Sequence, residues 1–493
     1  MNRTFMLAAL AGTALSASVS AQTPAPTRPQ QRTTLPAPVK VDPTVAKLRD
    51  AALKDEVAYD IVEGLTTEVG PRLAGTEAEA RARAWAVVKL KSLGFKNVHI
   101  ETYQMPVWVR GTETAETVSP FPQKFHVTAL GNSGATPPEG LTAEVVYFLS
   151  FADLQSAPDG SLKGKIAFVS NAMVATQDGS TYGQFGAARF TGPNVAASKG
   201  AAAIVIRSIG SDHGRGPHAG LTNFAAGVTP IPAAALSTSD ADNLSRMVAR
   251  GKPVTLKLVL TPQQTGTHES GNVIAEVPGS DAKAGIVLIG GHLDSWDLGT
   301  GAIDDGAGVA ITAAAAKRLL DGPRPKRTIR VVWFGSEEVG GFGGRAYAEA
   351  HKGDRHVLAA ESDFGADNVW RYQASLPDAA KPVGERVGAA LAPLGIVKGK
   401  DAAHGGSDVE PVLATGVAGI DLNQSGQRYF DYHHTPEDTL DRIDPAQLAQ
   451  NVAAWTAMLA VVANAPEDIG PVAIKRDEPN RSVSLPQPES RPS

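Results

Sequence analysis

Four short stretches of this 493-residue chain gather side chains that can hold divalent cations or move protons. GGHLDSWDLGTGAIDDGAG, at 290–308, carries His292, Asp294, Asp304 and Asp305. TIRVVWFGSEEVGG, at 328–341, drives an apolar run into Glu337 and Glu338. HVLAAESDFG, at 356–365, offers Glu361 and Asp363, and FDYHHTPEDTLDRI, at 430–443, offers His433 and His434. A histidine beside a carboxylate can be a ligand with its orienting partner, because the carboxylate takes one ring N–H and leaves the other nitrogen free. Asp304 stands in a Gly-rich turn ahead of a helix. A carboxylate there can give one oxygen to each of two cations, while Asp305 serves the helix start. Adjacent glutamates closing an apolar run are unfavourable unless positive charge meets them. One of the pair can ligate while the other reaches a water to be activated.

The chain has no cysteine, so any such centre uses nitrogen and oxygen donors only. That set suits Zn²⁺, and Co²⁺ or Mn²⁺ would fit the same ligands. Rival patterns fail. A dinucleotide fingerprint starting at Gly299 needs glycine where Asp304 stands. A calcium loop needs acids where Trp296 and Leu298 stand. H-E-x-x-H, C-x-x-C and G-x-S-x-G are absent.

The elements that must position these residues read as alternating strands and helices. Ile286–Gly290, Thr328–Phe334 and His356–Ala360 have the texture of buried strands, with helices over Gly308–Leu320 and Gly344–His351. This predicts an α/β domain whose mixed, mostly parallel sheet is flanked by helices, with ligands bound beyond the carboxyl ends of the strands. Helical spacing also covers 44–65 and Gly75–Leu93, the latter as an amphipathic helix, and Lys96–Glu101 reads as a strand. Short runs such as Ala143–Phe148, Lys165–Val169 and Ala202–Ile206, broken by Gly, Pro and Ser, predict an inserted α+β domain over 116–265. The catalytic domain then comprises 44–115 and 266–465.

Arg3, the apolar stretch Met6–Val19 and the small residues Val19-Ser20-Ala21 predict a cleaved export signal over 1–21, hence a secreted or periplasmic protein free of the membrane. Residues 22–43 read as a disordered linker and 466–493 as a flexible tail. The formal net charge of −5 gives no electrostatic reason to expect nucleic acid as a partner.

The set GGHLDSW, GAIDDGAG, FGSEEVGG, ESDFG and HHTPEDT resembles the co-catalytic zinc exopeptidases related to glutamate carboxypeptidase. LTTEVGPRLAG at 65–75 and RPKRT at 324–328 add to the likeness, which spans most of 45–465. AASKGAAAIVIRS at 196–208 looks like the protease-associated insert of that family. The resemblance implies two Zn²⁺ per chain, one on His292 and Asp363, the other on Glu338 and His434, with Asp304 bridging. It implies Glu337 as general base, Asp294 as the support of His292, and His433 as a candidate donor to the oxyanion or contact to the substrate. The segment His404–Asp408 is a candidate wall of the substrate pocket. The implied activity is hydrolysis of short unblocked peptides, dipeptides above all. Aminopeptidase action on longer peptides is the alternative, and a non-catalytic binding protein on the same fold is a remoter one. A homodimer is implied by the resemblance alone.

Overall fold

The computed structural model describes residues 39–472. The export signal, linker residues 22–38 and the tail from 473 lie outside the described residues.

Eight strands form the sheet that carries the motifs. In chain order they are β1 (Lys96–Val109), β2 (Gln263–Val277), β3 (Ile286–His292), β4 (Thr328–Phe334), β5 (His356–Glu361), β6 (Val369–Ser375), β7 (Val397–Lys398) and β8 (Ala418–Gln424). Their spatial order is β1-β2-β4-β3-β5-β8-β6-β7. The central strands β4, β3, β5 and β8 run parallel, whereas β1, β2 and β6 join through antiparallel pairs. Alternation along a strand sends neighbours to opposite faces. Val287, Ile289, Val331 and Trp333 accordingly pack into one core with the helices Ala307–Leu320 and Pro445–Val462. Leu288, Val332 and Phe334 pack into another with Tyr347 of the helix Phe342–Ala350. Both faces are covered, which is why these strands read as unbroken apolar runs.

A second eight-stranded sheet is built from Glu113–Leu260, the stretch expected at 116–265, and shares no strand with the first among the described residues. The chain leaves the first sheet along β1 and returns along β2. These two strands pair antiparallel from Lys96↔Glu276 to Val109↔Gln263 and so form the ribbon between the sheets.

Three expectations need correction. The segment 44–65 is two helices, Pro43–Ala52 and Val57–Gly64, so the chain is already helical where the linker was expected to end. Asp55 lies in the break between them, accepting the Ala58 N–H at 2.9 Å and pairing with Arg318. The helix expected at Gly75–Leu93 runs Glu77–Ser92, and its inward face carries Glu79 and Arg83 among the alanines and Leu90. Those charges are tolerated because they pair with each other at 3.3 Å and because Ser270 donates to Glu79. The expected tail is anchored at its start. Glu467 pairs with Arg386, Ile469 is buried, and the Val472 N–H reaches the Gly416 carbonyl at 2.8 Å.

Candidate metal centre and active-site cleft

The parallel strands of the first sheet end together, and their ends deliver the donors. His292 closes β3, the Glu337–Glu338 pair follows β4 and Asp363 follows β5. Asp304 lies in the turn before the helix Ala307–Leu320. His434 comes from a different place, the loop after the short helix Tyr429–Tyr432.

His292 Nε2 stands 3.1 Å from Asp304 Oδ1 and 3.5 Å from Asp363 Oδ1. His434 Nε2 stands 3.2 Å from Asp304 Oδ2 and 2.9 Å from Glu338 Oε2. Asp304 therefore turns one oxygen toward each histidine. The other ring nitrogens fix the tautomers. His292 Nδ1 faces the Asp294 carbonyl at 3.0 Å, and His434 Nδ1 faces the Ala219 carbonyl at 3.1 Å. A carbonyl only accepts, so both Nδ1 atoms donate and both Nε2 atoms are left to point into the acidic cluster. Asp294 was expected to steady His292 through its carboxylate, but that group is farther away, at 3.7 Å. It accepts the N–H groups of Glu337 and Glu338 instead, at 3.1 and 3.3 Å, tying the exit of β3 to the exit of β4.

The donor set is one that can hold metal. Two overlapping triplets, Asp304 with His433 and His434 and Asp304 with His292 and Glu338, each bring their ligand atoms within 4.8 Å of one another. Asp304 Oδ2 and Glu338 Oε1 are buried with no hydrogen-bond partner. Asp305 is also close to His292 and Asp363, but its oxygens are engaged by the N–H groups of His292 and Gly308. Electrostatics agree. Burial opposes charge on His292 and His434, yet the surrounding acids hold both well above the usual imidazole range. Burial likewise opposes charge on Asp304, and the histidines hold it well below the carboxylate range. Protons balance the cluster in the absence of a cation, and a dication would displace them. Burial pushes Glu337 well above the carboxylate range, with His292 opposing and Asp363 and Glu338 adding to it.

The cluster floors a cleft of about 490 Å³. Glu337 lines it beside Ser407, Tyr429 and Phe430, and Tyr182 and Arg189 reach in from the helix Ser180–Phe190 of the second sheet's segment. His433 stacks on His434 with ring centroids 3.5 Å apart, and burial, followed by the charge of His434, holds it well below the imidazole range.

Several residues of this site escaped the sequence reading. Asp438, four positions after His434, accepts the N–H groups of Ala302, Ile303 and Asp304 and so fixes the Asp304 turn. Arg72 is fully buried and spends its guanidinium on the carbonyls of Leu293, Thr300 and Gly301. From the second sheet's segment, the Ala219 N–H holds the His434 carbonyl at 2.9 Å, and His218 Nδ1 holds the His433 carbonyl at 2.7 Å. His218 Nε2 meets Asp212 at 2.8 Å. These bonds hold His434 at a φ of 63°, where non-glycine residues are rare. LTTEVGPRLAG and HHTPEDT did contain Arg72 and Asp438, but nothing in spacing marks His218 or Arg189.

The pattern of Peptidase family M28 matches residues 272–459, the stretch that holds every donor of the cluster. Carboxypeptidase Q of Bos taurus is 36% identical over 414 residues, an alignment covering 83% of this chain and 86% of that protein. The chain belongs to peptidase family M28. Among solved structures, an M28 peptidase precursor from Shewanella amazonensis SB2B matches with a TM-score of 0.86 and 50% identity, over 88% of this chain and 98% of that one. A zinc aminopeptidase from Bacillus subtilis matches in fold, with a TM-score of 0.59 at 21% identity over 84% and 97% of the two chains. As an M28 peptidase the chain is a metallopeptidase, a hydrolase acting on peptides. No helix among the described residues is long and apolar enough to cross a membrane.

Proposed function

We propose that this M28 peptidase is an exported di-zinc exopeptidase acting on short unblocked peptides, dipeptides among them. The observation that carries the two-ion reading is Asp304, with one oxygen toward His292 and the other toward His434. His292 and Asp363 would hold one zinc, Glu338 and His434 the other, and Asp304 both. Bound there, the ions would polarise the scissile carbonyl and lower the pKa of an attacking water. Glu337 lines the cleft beside this cluster, in surroundings that favour a bound proton. It takes the proton from the water and returns it to the leaving amine. His433 lies 3.5 Å from Asp304 Oδ2, and its Nδ1 is buried without a partner, which suits a group that waits for substrate.

Arg189 supports the short-peptide reading. It is 2% exposed, lines the cleft and has no ion-pair partner among the described residues. Its Nε has no acceptor at all. A buried guanidinium without a counter-charge is unfavourable until an anion arrives, and a peptide's terminal carboxylate is such an anion. The segment 116–265, read as the protease-associated insert from its AASKGAAAIVIRS run, brings Arg189 and Tyr182 to the cleft. Export rests on Arg3 and Met6–Val19, as argued from the sequence.

Zinc-loaded enzyme given a free dipeptide, an N-blocked dipeptide and an aminoacyl-anilide tests the proposal. The free dipeptide should be cleaved fastest. Cleavage of the N-blocked substrate alone would exclude both the dipeptidase and the aminopeptidase modes, and a faster anilide would favour aminopeptidase action. Metal analysis should return two zincs per chain.

A further inference from the structure

A second pocket of about 230 Å³ adjoins the cleft and shares Asp363, Phe364 and Ser407 with it. Its charged lining is wholly acidic: Asp178, Glu361, Asp363 and Asp421. Acids gathered at a surface prove little, but Glu361 is of another kind. It is 7% exposed, and while its Oε2 accepts the N–H groups of Asp408 and Val409 at 3.0 and 3.3 Å, its Oε1 is buried with no partner. The metal cluster has no evident use for that oxygen, because Asp363 is the residue of this strand end that faces His292. The loop at Gly406 is built to approach it: a Cβ there would lie 2.2 Å from Glu361 Oε2. The volume is several times the roughly 30 Å³ share of one water, so it is side-chain-sized.

We infer that this pocket is a specificity subsite for a basic substrate side chain, lysine or arginine, whose cation takes the free oxygen of Glu361. A substrate with its scissile carbonyl at the cluster has Asp363 beside it, and the side chain next to that carbonyl enters past Phe364 and Ser407. The occupant meets two acceptors, the unpaired Glu361 oxygen and the Asp178 carboxylate of the lining. The inference rests on the exopeptidase reading above, and its test separates the two.

The decisive comparison is lysyl-alanine against norleucyl-alanine, which differ in the cation and hardly in length, on the zinc-loaded full-length enzyme. The lysyl substrate should have a kcat/KM higher by about 10-fold or more, the effect expected of one buried charge-assisted hydrogen bond. Glu361→Gln keeps a carbonyl for the Asp408 and Val409 N–H groups but removes the charge, and should bring the two substrates to within about 3-fold, with Asp178→Asn moving the ratio the same way by less. Norleucyl-alanine cleaved as well as lysyl-alanine by the wild type would overturn the subsite, whatever the variants do. So would a preference that survives Glu361→Gln, or loss of a zinc in that variant, which would make the oxygen a metal donor. If neither dipeptide is cleaved, the catalytic reading fails. Calorimetric binding of lysine against norleucine then decides the subsite by itself, with equal affinity overturning it.

Discussion

The two halves of the metal cluster are built differently. On the His292 side the two donors not shared with the other half, His292 and Asp363, come from the ends of parallel strands in one sheet, and the Asp294 carbonyl that sets the His292 ring is two residues away on the same chain segment. On the His434 side, Glu338 comes from that sheet, but His434 lies in a loop after β8 and takes its tautomer from the carbonyl of Ala219, in the segment that forms the second sheet. The first half is preset by hydrogen-bonded backbone. The second is assembled only when two parts of the chain, more than two hundred residues apart, meet correctly. A site on strand ends inherits the rigidity of the sheet, whereas a site clamped between segments inherits whatever motion separates them.

The contrast can be broken at several points. The largest expected effect spares both halves: Glu337→Gln should lower kcat by about 10²- to 10⁴-fold while both zincs remain, by metal analysis. Wild-type turnover in that variant would remove Glu337 as the base. Next, Asp363→Ala should release one zinc and His434→Ala the other, whereas Asp304→Asn should weaken both; equal loss from all three would mean that the cluster holds a single ion. Third, His218→Ala should weaken zinc on the His434 side by about 10- to 100-fold, the usual size of an outer-partner effect, and leave the His292 side alone. A change on both sides, seen in competition with a chelator, would refute the asymmetry.

The smallest effect is on pH dependence. His292 and His434 are both raised in the metal-free fold. A raised group contributes stability below its unfolded pKa, and that contribution is lost as pH rises through its folded value. The Tm of the metal-free enzyme should therefore fall above about pH 6.5, the unfolded value of histidine. Zinc competes with the same protons, so the stabilisation it adds should grow over the same range. A zinc increment that shrinks with rising pH would contradict this arrangement of charges.

How far the sequence could be read follows the same divide. The strands Thr328–Phe334 and Ile286–His292 were legible because helices cover both faces, which leaves a plain apolar run. The helix Glu77–Ser92 was legible in extent, but its inward Glu79 and Arg83 were not, because their pairing depends on each other and on Ser270 of a distant strand. The choice between Asp363 and Glu361 was open to spacing, since both follow the same strand. In the fold Asp363 turns toward His292, and Glu361 turns to the N–H groups of Asp408 and Val409. His433 and His434 were equally close in sequence, but His434 meets Glu338 at 2.9 Å, and Ala219 sets its ring.

The sequence by itself determined the chemistry: a cysteine-free chain whose apolar runs end in imidazoles and carboxylates can only build a nitrogen-and-oxygen metal site. Side-chain type and local periodicity are written residue by residue, so they survive without a fold. Resemblance alone singles out Asp363, His434 and a bridging Asp304, whereas only the tertiary structure supplies the contacts that orient them and brings Arg189, His218 and Asp438 to the site. Those are orientations and long-range contacts, fixed by hydrogen bonds from segments that the sequence does not place side by side.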